Sequence, residues 1–176
     1  MLMHRMPFHR NLGVVSLIGE KLMDKVTVQL ILAGLATVYA GLLLFIADVL
    51  NVAFKDMEVI AFRDFMGRLY RRASRSTVII LGGAVPFFGM FAYIFLYGFR
   101  DHLFLLGILV FNLSIVASSL VNAPLYKRIQ ALGPEDGQQL AAARSALCRA
   151  NWIRAAIATI GMIMMLAACS ARVFLA

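Results

Sequence analysis

Four long apolar runs dominate this sequence and make a lipid bilayer its natural solvent. The runs cover about residues 26–54, 77–99, 102–123 and 151–175. Each holds the roughly 20 residues that a helix needs to cross the hydrocarbon core. A chain of 176 residues that is 62% hydrophobic has no water-soluble core large enough to hide these runs. The sequence therefore predicts an all-α integral membrane protein, a bundle of four transmembrane helices.

The connection at 55–76 predicts a short amphipathic helix between helices one and two. Its apolar residues recur at helical spacing opposite a set of arginines. Such a basic amphipathic helix is typical of a membrane surface, and a partner-binding helix is the alternative. The other long connection, 124–150, contains a Gly- and Pro-rich turn at 133–137, and the helix formers after it lead into helix four. The link at 98–101 is so short that helices two and three are expected to be antiparallel neighbours.

Residues 1–25 are interpreted as an N-terminal interfacial or extension segment, and residues 26–176 as the transmembrane domain. The apolar stretch at 12–18 is too short to cross a bilayer. No signal-peptidase site follows it, so a cleaved signal peptide is not predicted. Translation from Met23 instead of Met1 is the alternative.

Basic residues predict the orientation of the bundle. The net charge of +8 is spread over the connections, which argues against nucleic-acid binding. Counted together with Arg154 at the start of helix four, the two long connections hold 11 of the 17 Lys and Arg residues, and the other three segments hold six. The positive-inside rule therefore places both long connections in the cytoplasm and both termini outside. A bacterial inner membrane is the expected location, with the lipid bilayer as the main partner.

Polar residues in or beside the predicted helices suggest a pocket at one end of the bundle. The candidates are Asp48, Asn51, Asn112, Ser119, Asn122, Asn151 and Arg154. Helices one and three are expected to end, and helix four to begin, at the same membrane face, so these residues should converge there. We expect Arg154 and Asp48 to form an ion pair, because intramembrane charges usually face a partner or a cavity. A set of packing contacts between helices remains the alternative to a binding pocket.

Cofactor and metal motifs are absent from the sequence. The few His and Cys residues lack metal-site spacing, and no phosphate-binding glycine loop or nucleophile motif occurs. The sequence therefore predicts no cofactor and no metal, and it assigns no catalytic residue. Gly34, Gly41, Gly82 and Gly83 are interpreted as sites of close helix approach.

The stretch from helix three into helix four resembles a known family. It reads VNAPLYKRIQAL and, after an acidic turn, ALCRANWIRAAIATIGMIMMLAA. This resembles the anthrone-oxygenase-like family of small four-helix membrane proteins. That family ends its third helix with Asn-x-Pro-Leu and opens its fourth with an aromatic residue, Asn and Arg closely spaced. The matching residues here are Asn122, Pro124, Leu125, Asn151, Trp152 and Arg154.

The resemblance implies a chemistry as well as a fold. Fungal members look like oxygenases that convert a polyketide anthrone to an anthraquinone without a conventional metal or flavin site, whereas most bacterial members have no assigned function. By analogy, Asn122, Asn151 and Arg154 would bind a phenolate-like substrate and stabilise its deprotonated form, the species that reacts with oxygen.

Three classes of function therefore remain open. The first is a membrane protein of this type that binds a small amphipathic or phenolic molecule, with or without catalysis. The second is a non-catalytic accessory subunit or assembly factor, which would bind other membrane-protein subunits or a second copy of itself. The third, a small-molecule carrier, ranks last because no internal repeat relates the two halves of the chain.

Overall fold

The computed structural model of the chain describes residues 25–73 and 75–175, and every regular element in these ranges is a helix. In chain order they are α1, Lys25–Asp56; α2, Val59–Ala73; α3, Thr77–Tyr97; α4, His102–Ala131; and α5, Gly137–Leu175. Four of them, α1, α3, α4 and α5, are long and apolar enough to cross a membrane. The predicted all-α bundle with four membrane-spanning helices is confirmed. The interpretation of residues 1–24 lies outside the described residues.

Two of these helices extend well past their apolar runs. The helix α4 continues to Ala131 instead of ending near 123, and α5 begins at Gly137 instead of 151. The turn predicted at 133–137 separates them, and the helix formers after it do lead straight into the last span. At about 1.5 Å per residue, the 39 residues of α5 reach nearly twice the roughly 30 Å of the hydrocarbon core. One end of the bundle therefore projects beyond the apolar runs.

The helices pack around two apolar cores. The membrane core lies between α1, α3, α4 and α5, where Ala36, Phe104 and Ile108 are fully buried. The second core lies where α1, α4 and α5 project, and α2 covers it. Its most buried large members are Phe54, Phe62, Met66, Ile129, Leu140 and Leu147. The predicted amphipathic helix is therefore α2, with its apolar side on this core and Arg68, Arg71 and Arg72 exposed.

Packing is tightest between α4 and α5, where two backbones meet. A Cβ atom added at Gly107 would lie 2.8 Å from the backbone nitrogen of Met165, and one added at Gly161 would lie 2.7 Å from the carbonyl of Gly107. Small residues commonly permit such close approach of membrane helices. The glycines that the sequence suggested as sites of close helix approach mostly do not have that role. Gly34, Gly41 and Gly83 have open space around them, and Gly82 approaches a Tyr39 side chain.

Candidate functional site: a cavity beside Arg154

Two π-helical turns shape the projecting end of the bundle. In α1 the turn spans Ile46–Leu50, and the Asn51 N–H donates to the Ile46 carbonyl. In α4 it spans Ser118–Asn122, and the Ala123 N–H donates to the Ser118 carbonyl. Each turn holds one more residue than an α-helical turn, so it rotates the side chains around it relative to a regular helix. Such turns frequently occur at functional sites.

Three of the predicted pocket residues form one hydrogen-bonded chain across the bundle. The Asn122 side-chain amide donates to Asn151 Oδ1 at 2.8 Å, and the Asn151 amide donates to Asn51 Oδ1 at 3.0 Å. The Asn51 amide then donates to the Cys148 carbonyl at 2.9 Å. All three asparagines are at most 2% exposed. Because their side chains satisfy one another, this chain ties α1, α4 and α5 together, as interhelical polar contacts commonly do in membranes.

Arg154 lies one turn of α5 beyond Asn151 and has a different environment. Its Nη1 donates to Ser118 Oγ at 2.7 Å, and its side chain is buried at 7% exposure. Among the described residues, its Nε has no hydrogen-bond partner, and no carboxylate forms an ion pair with it. The expected pair with Asp48 is wrong, because Asp48 is exposed. The π-helical turn at Ile46–Leu50 explains this. In a regular α-helix Asp48 and Asn51, three residues apart, would share one face, but the wider turn rotates Asp48 away from that face.

Two further candidates do not join the site. Ser119 is exposed and bonds back to the Ile115 carbonyl of its own helix at 3.5 Å. The π-helical turn directs its neighbour Ser118 inward instead. Asn112 is buried on α4, ten residues before Asn122. Its amide approaches Met90 Sδ at 3.6 Å, and its Oδ1 has no partner among the described residues. Ten residues correspond to about 15 Å along a helix, so Asn112 lies in another layer of the bundle than Asn122.

A cavity of about 350 Å³ opens next to Arg154. It lies between α1, α2, the start of α3, α4 and α5. Its polar lining comes from Arg154, Ser118 and three tyrosines, and the remaining lining is apolar. The tyrosines are Tyr39, Tyr70 and Tyr126, and the Tyr70 and Tyr126 rings lie 5.2 Å apart between centroids. None of the three asparagines lines this cavity.

The cavity is chemically suited to an anion with an apolar body. A buried guanidinium without a carboxylate partner strongly favours an anionic ligand, because desolvated charge is costly unless paired. Arginine offers several donors in a fixed plane, and the unpartnered Nε leaves one of them unused. Aromatic and aliphatic walls would hold a flat or hydrocarbon ligand body. Arg154 with Ser118, rather than the asparagines, is therefore the polar centre of the candidate site.

A second polar cluster at the opposite end of the bundle was missed from the sequence. Gln29 donates to the Tyr93 hydroxyl at 2.6 Å, and Tyr93 donates to the Asp101 carboxylate. Lys25 forms an ion pair with the same carboxylate. The signal in the sequence was Gln29, a strongly polar residue inside an apolar run, which is costly in a bilayer unless it finds a partner. Gln29 Oε1 has no partner among the residues that the structure describes, whereas the charges of Lys25 and Asp101 compensate each other.

Within residues 25–73 and 75–175, no group of three or more His, Cys, Asp and Glu side chains has an arrangement suited to a metal ion. Comparison with known proteins finds no matching family model, no matching curated protein and no matching solved structure. The geometry of the site is therefore the basis for assigning its function.

Proposed function

We propose that this membrane protein binds a small amphipathic anion, of which a phenolate is the simplest example, in the cavity beside Arg154. The observation that carries the proposal is the buried guanidinium, which borders a cavity and lacks a carboxylate partner among the described residues. An anionic oxygen would compensate its charge, and the aromatic walls would cover the rest of the ligand. A volume of about 350 Å³ lies within the usual range for small-molecule sites.

Access from the bilayer supports a lipid-soluble ligand. A neighbouring cleft of about 480 Å³ lies between α3 and α4 and shares Tyr39, Ile79 and Ser118 with the cavity. The cleft is otherwise lined mainly by apolar residues of α3 and α4. A molecule dissolved in the hydrocarbon layer would therefore meet an apolar path to Arg154. A small, uncharged phenol that ionises beside the guanidinium fits both parts of this route.

The resemblance to anthrone-oxygenase-like proteins suggests a reaction of the bound ligand. In this reaction an anthrone-like phenol would release its proton to water, and Arg154 and Ser118 would hold the resulting anionic oxygen. Molecular oxygen would then be the oxidant, adding to the anion and leaving a quinone and one molecule of water. The asparagine chain would then be a positioning element, since its amides are engaged with one another. We place Arg154 at the centre of this chemistry and assign the asparagines no contact with the ligand.

The decisive test compares two arginines of α5. Arg154→Gln removes the buried charge, and Arg149→Gln removes an exposed charge just over one turn earlier. Each protein would be titrated with an anthrone and with its O-methyl ether, which has nearly the same shape but no ionisable hydroxyl. We expect wild type and Arg149→Gln to prefer the free phenol by about 10- to 100-fold, the value of a charge-assisted hydrogen bond. Arg154→Gln should lose that preference.

Native mass spectrometry and an absorption spectrum of protein extracted gently from its own membrane would identify the natural ligand. We expect a small anionic molecule bound to wild type and absent from Arg154→Gln. Equal affinity for the phenol and its ether in wild type, or an unchanged preference in Arg154→Gln, would contradict the proposal.

An accessory-subunit role is the second candidate, and the exposure of α3 favours it. Of the large apolar side chains of this helix, Phe88, Phe91 and Phe95 are more than half exposed. These aromatics would contact another membrane subunit or a second copy of the chain. A stoichiometric protein partner in the same mass spectrum would establish this role.

We also propose that the protein resides in a bacterial cytoplasmic membrane with both termini outside. The support is the excess of Lys and Arg in the two connections that meet at the projecting end. A reporter that is active on one side of the membrane alone, fused after Ala176, tests this orientation. Activity on the cytoplasmic side would contradict it.

A further inference from the structure

A cleft lined by four arginines lies on the exposed side of α2. Arg68, Arg71, Arg72 and Arg75 surround about 380 Å³ of open space, and none of the acidic residues that the structure describes lines it. All four side chains belong to exposed residues. Spacings of three and four residues place Arg68, Arg71 and Arg72 on one helix face, and Arg75 follows directly after the helix. The Arg154 cavity is a separate site, because none of these arginines lines it.

A neighbouring cleft differs from the first because a carboxylate lines it. It has about 250 Å³ and shares Arg68 and Arg71 with the first, and Arg63, Asp64 and the polar side chain of Gln130 line it as well. A carboxylate there offsets part of the positive charge. In the four-arginine cleft, like charges converge and no described carboxylate belongs to the lining. Converging cations repel one another unless an anion lies between them.

Position in the chain links the cleft to the membrane surface. Arg75 lies two residues before Thr77, where the membrane-spanning helix α3 begins. The cleft is therefore near the level of lipid headgroups. On the opposite side of α2, Phe62 and Met66 are buried in the second core, which fixes the helix with its arginines outward. The arginines are thus held together by a packed element.

We propose that this cleft binds a ligand that carries two phosphate groups. Arginine pairs with phosphate through parallel N–H donors, and about two arginines per phosphate use this geometry fully. Four arginines therefore match two phosphates, and Arg71 can take part although it makes another interaction in the chain, because a guanidinium carries five N–H donors. A diphosphate lipid headgroup and a soluble diphosphate share this chemistry, and clusters of basic residues beside a membrane span commonly bind anionic headgroups.

The test compares two triple variants that remove the same charge. The cleft variant is R68Q/R72Q/R75Q, and Arg71 is kept because it makes another interaction in the chain. The control variant is K127Q/R128Q/R149Q, whose three residues are exposed and line neither cleft. Thermal melts and an orientation assay on both proteins would establish that each is folded and inserted as in wild type.

Binding would be measured by native mass spectrometry in a zwitterionic detergent, with cardiolipin, phosphatidylglycerol at twice the molar amount, and inorganic pyrophosphate as probes. We expect wild type and the control variant to bind cardiolipin about tenfold more tightly than phosphatidylglycerol when the two lipids supply the same concentration of phosphate groups. The cleft variant should lose about tenfold in cardiolipin affinity and with it the preference. R68K/R72K/R75K, which keeps the charge but loses the paired donors, should lie between the two.

Pyrophosphate identifies the source of the phosphates. If it displaces cardiolipin at similar concentration, the diphosphate alone is recognised, and a soluble ligand fits the site. If it does not, lipid chains contribute, and the ligand is a lipid. Both results support the proposal. Equal losses in the cleft and control variants, which indicate diffuse surface charge, or no preference for cardiolipin in wild type would overturn it.

Discussion

The two ends of the bundle each hold a buried charged residue, but the two residues have different interaction partners. At one end, Asp101 accepts a hydrogen bond from Tyr93 and forms an ion pair with Lys25. At the other end, Arg154 bonds to the neutral Ser118 and borders a cavity. Both arrangements place polar groups where an apolar side chain would be less costly. The first compensates its charge within the chain, whereas the second has no described carboxylate to do so.

This difference separates a stabilising contact from a candidate binding site. A compensated cluster holds helices together and loses stability when one partner is removed. An uncompensated charge costs stability in the empty protein, and a ligand of opposite charge recovers that cost on binding. Mutations at the two ends should therefore change stability in opposite directions. Substitutions at both ends test this contrast, and the largest effect is expected at Asp101.

Replacement of Asp101 should be the most destabilising of these changes. Asp101→Asn keeps the shape of the side chain but removes the charge that Lys25 and Tyr93 face. We expect a loss of about 2 to 3 kcal/mol in the free energy of unfolding, at the low end for a broken buried pair because Lys25 is partly exposed. Unfolding in mixed micelles with increasing SDS would measure it. Asp48→Asn, at an exposed carboxylate, is the control and should change little; equal losses in both variants would contradict the contrast.

Replacement of Asn151 should have the next largest effect. Asn151→Ala removes the middle of the asparagine chain and leaves polar atoms of Asn51 and Asn122 without their partners. We expect a loss of about 1 to 2 kcal/mol, the cost of unsatisfied buried polar groups, from the same unfolding experiment. Asn112→Ala is the matched control, since Asn112 Oδ1 already lacks a partner. A smaller loss for Asn151→Ala than for Asn112→Ala would show that the chain is not a structural tie.

Arg154→Met should shift stability in the opposite direction. In the ligand-free protein the change removes a buried charge and loses one hydrogen bond to Ser118. We expect the free energy of unfolding to stay the same or rise by about 1 kcal/mol, because apolar replacements of buried charge are often neutral or stabilising. In a melt with added ligand, wild type should gain stability and the variant should not. A clear loss of stability in the ligand-free variant would instead make Arg154 a packing residue.

Most of the fold could be predicted from the sequence because membrane-spanning helices are specified by length and apolarity. The four apolar runs, the amphipathic α2 and the turn before α5 all follow from such patterns. The extension of α5 back to Gly137 agrees with the helix formers after the turn, whereas the extension of α4 to Ala131 was missed. The outer turns of α4 pack on the second core through Ile129, and a hydropathy pattern alone does not distinguish that residue from a loop residue.

The site could be predicted in part, and the errors have several causes. Asn51, Asn122, Asn151 and Arg154 were expected near one end of the bundle, and the structure places them there. The errors at Asp48 and Ser119 depend on the two π-helical turns, which change which neighbours share a face and have no signature in the sequence. The Lys25–Asp101 cluster was missed for another reason. Its members come from the ends of three helices, and their pairing depends on how those helices pack.

The two neighbouring serines of α4 provide the finest test of that register. Regular helical spacing assigns Ser119 to the site, whereas the π-helical turn places Ser118 against Arg154 and in the lining of the cavity. Ser118→Ala should weaken binding of a phenolic ligand by about two- to fivefold, because Arg154 loses the contact that orients it. Ser119→Ala removes a long bond within one helix and should leave binding unchanged. Titration of both variants with the same anthrone measures this. A stronger effect at Ser119 would indicate that α4 keeps regular α-helical spacing at these residues.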